Sequence, residues 1–362
     1  MKKILIVLPT DSLGGAENYL KMIAFHYKNE DVEIYAFKNN ERGRWNDVGE
    51  FANMKFISKA HEVTGIIGFV FIMLFKRKKY DYIYTSIIYA NSVVGILKTL
   101  GIIRSKYFIA RESTSIFLRF KGTQLNFYKN IIRLGYRKMD LLICQTEVMK
   151  EQFSKHFKNI EKRTLLRVIP NPIDLKNSKT RSGKQLDLKL PDEFVVTAGR
   201  LIELKGYDLL IDSFAKLKSE HPNLKLIILG EGDKLEELQE QATMLNILDS
   251  VIFSGFVNNV YPYFKKAKIC VVSSRIEGFP NVLLQMMSQN TKVVSSLCAG
   301  GIEEIPGIYT CKAGDEETLT TAMRLCLNTN TEKNRQVFDD YLDARSVDAF
   351  IETINTTLKD RV

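Results

Sequence analysis

Short apolar runs alternate with amphipathic segments along most of this chain of 362 residues. Runs rich in valine, isoleucine and leucine, such as 4–8, 194–198 and 269–272, are typical of strands buried on both faces of a parallel sheet. Between such runs, apolar residues recur at helical spacing, as they do from Glu17 to Tyr27. The repeated order of strand and helix predicts an α/β protein.

The series of strands and helices occurs twice, which predicts two domains. Residues 176–189 are polar and basic and predict a linker between them. We place one Rossmann-like domain at 1–175 and a second at 190–345, with a C-terminal helix at about 346–362 that can pack back on the first. The carboxyl ends of the two parallel sheets would then face a central cleft.

Charge is spread unevenly over the chain, whose net charge is +10. Residues 1–176 hold 30 lysines and arginines against 16 acidic residues, whereas the remainder holds 22 against 26. A basic first half suits nucleic acid, an anionic membrane face or a phosphorylated substrate. Because the sequence contains no recognised nucleic-acid reader motif, we expect no nucleic acid partner. Five scattered cysteines without a C-x-x-C pair predict buried free thiols in a reducing cytoplasm.

Residues 63–75 are apolar and uncharged and end in the basic run Lys76–Lys79. The run is too short to span a bilayer, which needs about 20 apolar residues. It predicts either a buried core helix with cations at its C-terminus, or a helix in a membrane interface with its lysines on anionic headgroups. We favour the core helix, because Tyr80–Ser86 follows directly as a strand. The two interpretations are compatible if one face of the helix is exposed.

The stretch Ser273–Met287 follows a buried strand and carries the residues most typical of a ligand site. Pro280 suits the first turn of a helix, where a missing N–H costs little. The backbone N–H groups that would point out of this helix start are those of Asn281, Val282 and Leu283. Such a start binds phosphate, and Glu277 and Gln285 beside it favour a ligand with hydroxyls as well, such as a sugar nucleotide. Taken alone, the stretch also fits an ordinary βα unit.

Six short motifs occur in an order and spacing that resembles glycosyltransferase family 4. The motifs are Gly14–Glu17, Asn171–Asp174, Gly199–Arg200, Lys205–Gly206, Gly230–Gly232 and Glu277–Gln285. The resemblance covers nearly the whole chain and is strongest in residues 194–305. It implies the GT-B fold, with two Rossmann-like parallel-sheet domains facing a central cleft, and a retaining transferase. It further implies no cofactor, since the nucleotide diphosphate sugar is a substrate, and no metal, since Arg200 and Lys205 can neutralise the diphosphate.

The resemblance also implies roles for particular residues. Arg200 and Lys205 match the family's cations on the donor diphosphate, although alone each also fits a solvated loop charge. Glu277 matches a glutamate near the donor sugar, where it would bind sugar hydroxyls or stabilise an oxocarbenium-like transition state. These three are the expected catalytic residues. The other expected donor contacts are Gly14, Gly15, Phe256, Val257, Gly278, Phe279, Pro280, Asn281, Val282, Leu283 and Gln285.

The chain departs from the family pattern at two places. The family usually has a second glutamate at the position of Gln285, where it accepts hydrogen bonds from ribose hydroxyls. An amide oxygen still accepts one such bond, but charge assistance of about 1 kcal/mol is lost. Many members also carry a histidine near residues 107–110, a region that here contains Arg111 and Glu112. For these two, a site role and a strand-end ion pair have equal weight. The expected acceptor-side residues are Glu17, Arg111, Glu112 and Asn171.

The expected function is transfer of a hexose or N-acetylhexosamine from a nucleotide diphosphate sugar, with a UDP-sugar favoured. The acceptor would be a lipid-linked saccharide in surface polysaccharide or O-antigen assembly. The basic first half suggests a cytoplasmic protein in peripheral contact with the anionic inner face of the cell membrane. Two alternatives remain: a GT-B sugar-nucleotide epimerase or phosphorylase, and a catalytically silent partner subunit in which Gln285 reflects decay.

Overall fold

A computed structural model describes residues 1–12, 14–40, 43–76, 78–184 and 190–360. The chain divides into two units, each built on its own parallel sheet. The first unit comprises Met1–Pro172 together with the C-terminal segment from Val347, and the second comprises Ile173–Ser346.

The first unit contains a seven-stranded parallel sheet with the strand order β3-β2-β1-β4-β5-β6-β7. The strands are β1 (Lys3–Thr10), β2 (Asp31–Lys38), β3 (Asn53–Ser58), β4 (Lys79–Ser86), β5 (Arg104–Arg111), β6 (Leu141–Cys144) and β7 (Leu165–Val168). The helices up to Pro172 are α1 (Gly15–His26), α2 (Asn46–Gly49), α3 (Glu62–Phe75), α4 (Ile88–Thr99), α5 (Ile116–Arg119), α6 (Gly122–Gly135) and α7 (Glu147–His156). Side chains of β1 alternate between two apolar layers, with Leu5 and Val7 in one and Ile4, Ile6 and Leu8 in the other.

The second unit contains a six-stranded parallel sheet with the strand order β10-β9-β8-β11-β12-β13. The strands are β8 (Phe194–Ala198), β9 (Lys225–Leu229), β10 (Val251–Phe253), β11 (Ile269–Val272), β12 (Val293–Ser296) and β13 (Tyr309–Cys311). The α-helices are α8 (Leu175–Ser182), α9 (Tyr207–Glu220), α10 (Leu235–Met244), α11 (Tyr261–Lys266), α12 (Asn281–Met287), α13 (Glu316–Asn328) and α14 (Asn334–Asp343). Short 3-10 turns lie at Glu203–Lys205 and Leu248–Ser250. The five cysteines of the chain are buried and unpaired, as the sequence predicts.

The last helix, α15 (Val347–Lys359), belongs to the first unit rather than to the unit that precedes it in the chain. Its apolar face enters the layer that also contains Ile4, Ile6 and Leu8. The ring of Phe350 meets that of Tyr19 in α1 edge to face, with centroids 5.6 Å apart. This segment therefore completes one face of the first sheet.

The predicted linker at 176–189 is wrong over its first half. Residues Leu175–Ser182 form α8, and the carboxylate of Asp174 accepts a hydrogen bond from the Asn177 backbone N–H at 2.9 Å as its N-cap. Residues 185–189 of that prediction lie outside the described residues. Five further elements, β3, β13, α2, α5 and α14, were not predicted, and the two strands lie at sheet edges, where the apolar signal is weakest.

Each sheet changes direction at one pair of neighbouring strands. From β1 the chain first builds β2 and β3 on one side and then β4 to β7 on the other. In the second sheet the same reversal occurs between β8 and β11. Loops that follow the strands at such a reversal are spread apart, and ligands of open α/β sheets bind there.

Helix α3 confirms the apolar helix predicted at 63–75. Gly65 brings it against β2, since a Cβ there would lie 1.9 Å from the carbonyl oxygen of Phe37. Phe69 and Met73 are buried beneath it, and its outer face is exposed. No helix in the described part of the chain is long and apolar enough to span a bilayer.

One interpretation of the sequence expects the lysines after α3 to lie free for lipid headgroups, but Lys76 and Lys78 are paired within the fold. The Lys76 ammonium lies 2.5 Å from the carboxylate of Glu33 in β2, and the Lys78 ammonium lies 2.7 Å from it. Lys78 also pairs with Asp31 at 2.7 Å. Strand carboxylates therefore neutralise these two cations, while Arg77 lies outside the described residues.

The close packing of α3 against β2 predicts that Gly65→Ala destabilises the protein. The added methyl would overlap a backbone carbonyl, which cannot rotate away, so we expect the free energy of unfolding to fall by at least about 2 kcal/mol. Gly49→Ala is the matched control, because a Cβ there meets nothing within 4 Å. Urea unfolding measures both variants. An equally small effect of the two substitutions would contradict the packing described for α3.

Candidate functional site

Backbone hydrogen bonds join the loops that follow β8 and β9. The N–H of Gly199 donates to Leu229 at 2.9 Å, and the N–H of Leu201 donates to Glu231 at 2.9 Å. Gly230 has a φ of +154°, and a Cβ on it would lie 1.8 Å from the carbonyl oxygen of Gly199. Only glycine permits that approach, so the glycines of both loops build a fixed platform at the carboxyl ends of the strands.

The loop after β8 is also fastened to the loop after β11. The Ser273 hydroxyl donates to the carbonyl oxygen of Lys205 at 2.9 Å. Arg275 forms a bidentate ion pair with Asp208, with N···O distances of 2.7 and 2.6 Å. Gly206, with a φ of +62°, lets the backbone turn against Ser273. These contacts hold the two loops of the strand reversal in one position.

An ion pair lies at the centre of this arrangement. The ammonium of Lys205 lies 2.5 Å from the carboxylate of Glu277, and the two side chains are 18% and 20% exposed. The Ser274 hydroxyl donates to the same carboxylate oxygen at 2.9 Å, and the Glu277 N–H donates to Cys298 at 2.9 Å. The carboxylate is therefore fixed by a cation, a hydroxyl and its own backbone, yet remains open to solvent.

Arg200 supplies a second cation on the same loop. The Lys205 ammonium lies 3.4 Å from the position of a Cβ on Gly199, the residue before Arg200. The Arg200 side chain is exposed and forms no ion pair within the described ranges. A carboxylate paired with a lysine can bind a hydroxyl while the lysine binds an anion, and Arg200 adds a second cation on the same loop. In the same ranges, no group of three or more His, Cys, Asp or Glu side chains is placed to hold a metal ion.

The start of α12 differs from the expected open row of N–H groups. Pro280 is the N-cap, and the N–H of Leu283 donates to its carbonyl oxygen at 2.9 Å, so the expectation of a free Leu283 N–H is wrong. The Leu283 side chain is fully buried, and those of Phe279 and Val282 pack partly buried against the same core. These residues support the loop that carries Glu277 and Gly278, and Asn281 begins the helix.

Gln285 is held by a residue that the sequence analysis does not select. Its side chain forms a hydrogen bond with the hydroxyl of Tyr261. The guanidinium of Arg181 lies 5.4 Å from the Tyr261 ring centroid and donates to the carbonyl oxygen of Asn258. Helix α8 therefore supports the segment just after Phe256 and Val257, the expected base contacts. Of those two, Phe256 is exposed and Val257 packs against the core.

In the first unit, Gly14 and Gly15 lie at the start of α1, and both are exposed. A Cβ on Gly14 would lie 2.7 Å from the carboxylate of Glu17, which is buried in the first turn. The carboxylate therefore folds back over the glycine that begins the helix, where the helix dipole favours negative charge.

Arg111, at the end of β5, is fully buried in a polar network. Its guanidinium stacks 4.5 Å from the Tyr19 ring centroid and donates to Asn171 at 2.5 Å and Ser113 at 3.0 Å. Asn171 in turn donates to Gln145 at 2.9 Å. Burial lowers the pKa of Arg111 to about 10, although the nearby Tyr19 hydroxyl acts in the opposite direction. The network ties the ends of β5, β6 and β7 to α1, and it holds Arg111 and Asn171 away from solvent.

Glu112 points into the opposite layer from Arg111, so the two do not form the ion pair considered from the sequence. One of its carboxylate oxygens accepts hydrogen bonds from the Tyr136 hydroxyl and, at 3.2 Å, from the Asn91 amide. Its other oxygen has no hydrogen-bond partner among the described residues. Burial raises the pKa of Glu112 to about 7, against the effects of Tyr136, Asn91 and Arg111.

Residues 178–343 match the family model described as Glycosyl transferases group 1. An uncharacterized glycosyltransferase of Methanocaldococcus jannaschii is 32% identical over 218 residues, which cover 56% of this chain and 53% of that protein. A Campylobacter jejuni protein is 34% identical over 179 residues, which cover 49% of this chain and 47% of that protein. Its name is N-acetylgalactosamine-N,N'-diacetylbacillosaminyl-diphospho-undecaprenol 4-alpha-N-acetylgalactosaminyltransferase. The chain thus spans about half the length of the curated relatives it matches.

Likeness to solved structures extends over both units. The crystal structure of Anabaena HepE in complex with UDP and glucose superposes with a TM-score of 0.79 and 21% identity, covering 99% of this chain and 100% of that one. With the two parallel sheets, this decides the fold. The chain has the GT-B fold.

Three side chains that the sequence does not single out hold the candidate residues in place: Ser274, Tyr261 and Gln145. Ser274 had a local signal, since it lies at the end of β11 only three residues before Glu277. Gln145 had the same kind of signal at the end of β6. Tyr261 had none, because its contact with Gln285 depends on how α11 packs against α12.

The buried carboxyl of Glu112 predicts a pH-dependent stability. Its folded pKa of about 7 lies above the ordinary value of 4.5, so its contribution to stability is complete below about 4.5 and is lost as the pH rises through 7. Relative to Glu112→Gln, the wild type should lose up to about 3 kcal/mol between pH 5 and 8. Urea unfolding of both proteins at the two pH values measures this. A difference between them that does not change with pH would contradict it.

Proposed function

We propose that this protein is a retaining, metal-independent glycosyltransferase of family 4. It moves a hexose or N-acetylhexosamine from a nucleotide diphosphate sugar to a lipid-linked saccharide in surface polysaccharide or O-antigen assembly. It acts in the cytoplasm, at the inner face of the cell membrane. The nucleotide sugar is a substrate, and no further cofactor takes part.

The observation that carries the proposal is the ion pair between Lys205 and Glu277 at the strand reversal of the second sheet. In the proposed complex, Lys205 and Arg200 bind the donor diphosphate and stabilise the charge that develops on it as the glycosidic bond breaks. Glu277, fixed by Ser274, faces the sugar and accepts hydrogen bonds from its hydroxyls. The diphosphate then competes with Glu277 for the Lys205 ammonium, so that the resting ion pair keeps the site charged and ordered before the donor binds.

The proposed reaction is a front-face displacement with retention. The bond between the anomeric carbon and the diphosphate oxygen breaks, and the acceptor oxygen bonds to the same face of that carbon. The acceptor hydroxyl gives its proton to the departing phosphate oxygen, so no protein base is required. This is consistent with the burial of Glu112, which keeps that carboxyl out of reach of a substrate.

Two kinds of relative support the choice of donor and acceptor. The name of the Campylobacter jejuni protein gives N-acetylgalactosamine as its transferred sugar and a diphospho-undecaprenol saccharide as its acceptor. A Rhizobium meliloti protein that is 30% identical over 182 residues is named as a lipopolysaccharide core biosynthesis glycosyltransferase. Anabaena HepE was solved with UDP-glucose, which favours a UDP-sugar here.

Substitution of the central pair should abolish transfer while sparing the fold. We expect Lys205→Ala and Glu277→Ala each to lower kcat/KM for the donor by at least about a hundredfold, because each loses a contact made to developing charge. The matched control is Lys216→Ala, which breaks another Lys–Glu pair of the same unit. The Lys216 ammonium lies 2.7 Å from the Glu316 carboxylate, and the Lys216 side chain is 56% exposed. Release of nucleotide from UDP-sugars, with and without lipid acceptor, measures the rates.

Three results would count against this assignment. Full activity of Glu277→Ala with native unfolding behaviour would remove Glu277 from the mechanism. Turnover of the sugar nucleotide that needs no acceptor would favour an epimerase or phosphorylase. Donor binding without any turnover, in the presence of lipid acceptors, would favour a silent partner subunit.

Gln285→Glu should tighten donor binding by restoring a charged acceptor for the ribose hydroxyls. Charge assistance of about 1 kcal/mol corresponds to roughly a fivefold lower Kd for UDP. Tyr261 can accommodate the change, because its hydroxyl donates to a carboxylate as readily as it accepts from an amide. Calorimetry with UDP measures the effect, and 2′,3′-dideoxy-UDP is the control. An equal gain for both nucleotides would show that Glu at this position acts elsewhere than on the ribose.

A further inference from the structure

The segment 113–139, between β5 and β6, contains no acidic residue. Its six cations are Arg119, Lys121, Lys129, Arg133, Arg137 and Lys138. None of them forms an ion pair with a residue that the structure describes. Arg133 donates to the Asn130 amide oxygen at 3.0 Å, and Arg137 donates to the Arg133 carbonyl oxygen at 3.0 Å. No residue in the described ranges therefore neutralises the positive charge of this segment.

Large apolar side chains are exposed beside these cations. Phe127 and Leu134 lie seven residues apart on the outer face of α6, and each is more than half exposed. Leu118, in α5, is exposed as well. Helix α6 is therefore amphipathic in an unusual sense: its outer face mixes apolar and basic groups without acidic ones.

Helix α3 presents a second exposed apolar surface. Its exposed side chains are Val63, Ile67, Phe71, Leu74 and Phe75, each more than half exposed. They fall within about a third of the helix circumference. The side chains that bury the opposite face, Phe69 and Met73, already fix the helix to the sheet. The outer stripe therefore adds nothing to the fold of the unit.

The two surfaces lie on the same side of the first sheet. Phe69 of α3 and Ile132 of α6 enter one core layer, together with Leu5 and Val7 of β1. Helix α4 enters the same layer and packs closely against α6, since a Cβ on Gly95 would lie 1.8 Å from the carbonyl oxygen of Gly135. We call the exposed side chains of α3, α5 and α6, together with the exposed Arg137 and Lys138 that follow α6, the helical face.

We propose that the helical face is a docking surface for an anionic lipid bilayer. The apolar side chains of α3 and α6 would enter the boundary between headgroups and acyl chains, and the unpaired cations of α5 and α6 would bind anionic headgroups. This places the electrostatic attraction on residues 119–138. Lys76 and Lys78, which follow α3, do not supply it, since both already pair with Glu33.

Charge distinguishes a bilayer from the other occupants of such a face. A second copy of this chain would bring the same unneutralised cations to the interface, where like charges repel. A protein partner is not specified by anything in the sequence. A bilayer with anionic lipids would bury the apolar side chains and neutralise the cations at the same time.

Vesicle sedimentation without donor or acceptor tests the proposal. The probes are vesicles of phosphatidylcholine alone and vesicles of about three parts phosphatidylcholine to one part phosphatidylglycerol. We expect the wild type to prefer the mixed vesicles and to lose that preference as salt is raised. Arg137→Gln/Lys138→Gln should weaken binding to mixed vesicles at least about tenfold, since each cation near the surface contributes to the attraction. Phe71→Ser/Phe75→Ser should weaken it as well.

The charge-matched control is Lys265→Gln/Lys266→Gln, two exposed lysines at the end of α11 in the second unit. It should bind like the wild type, and all variants should unfold like the wild type. Failure of the wild type to bind mixed vesicles, or equal losses in both charge variants, would overturn the proposal. Self-association that Phe71→Ser/Phe75→Ser abolishes, without vesicle binding, would identify a second copy as the occupant instead.

The inference rests on the proposed function for its purpose, since a lipid-linked acceptor lies at a membrane. Its test is independent. Vesicle binding by a protein that transfers no sugar would support the docking surface and contradict the proposed enzyme. Transfer to a soluble acceptor by a protein that does not bind vesicles would contradict the docking surface and support the enzyme.

Discussion

The contact between Lys205 and Glu277 depends on how closely the strand-end loops of the second sheet can approach. Gly230 lies against the Gly199 backbone, and Gly206 turns against Ser273, at distances that no side chain would allow. These glycines bring the loops after β8 and β11 together, so that a cation and a carboxylate 72 residues apart in sequence form one pair. The apolar strands provide the sheet, but the glycines decide whether the loops at its end form a site.

In the first unit, the polar side chains at the corresponding strand ends are buried instead of open to solvent. Arg111, Glu112 and Asn171 are buried in hydrogen-bonded networks, and Arg111 and Glu112 each face a different layer. A buried charge persists only where partners satisfy it, and here Glu112 retains one unpartnered oxygen. These residues therefore order the strand ends at a cost to stability, which is more consistent with supporting the fold than with direct contact to a substrate.

Sequence patterns predict the inner strands of both sheets, because buried parallel strands are continuous apolar runs, but they miss the edge strands β3 and β13. They fail where packing decides the outcome. The polar residues of α8 suggest a linker, yet Asp174 caps them into a helix that supports Asn258. Glu277 and Lys205 are predicted from their motifs, and the structure brings the two side chains into contact. The bond between Gln285 and Tyr261 carries no local signal, since it joins two short helices.

The charge of the first half also shows that a sequence pattern does not predict which side chains become paired when the chain folds. A count of 30 cations against 16 acids indicates an anionic partner but not where it binds. By sequence, the four consecutive basic residues after α3 are the obvious candidates. In the structure Lys76 and Lys78 are neutralised by Glu33, which lies more than 40 residues earlier in the chain. Segment 113–139 is less dense in cations but free of acids, and no strand carboxylate pairs with its cations among the described residues. Attraction to a surface depends on charge that remains after the fold has formed, so the acid-free segment is the better candidate than the denser one.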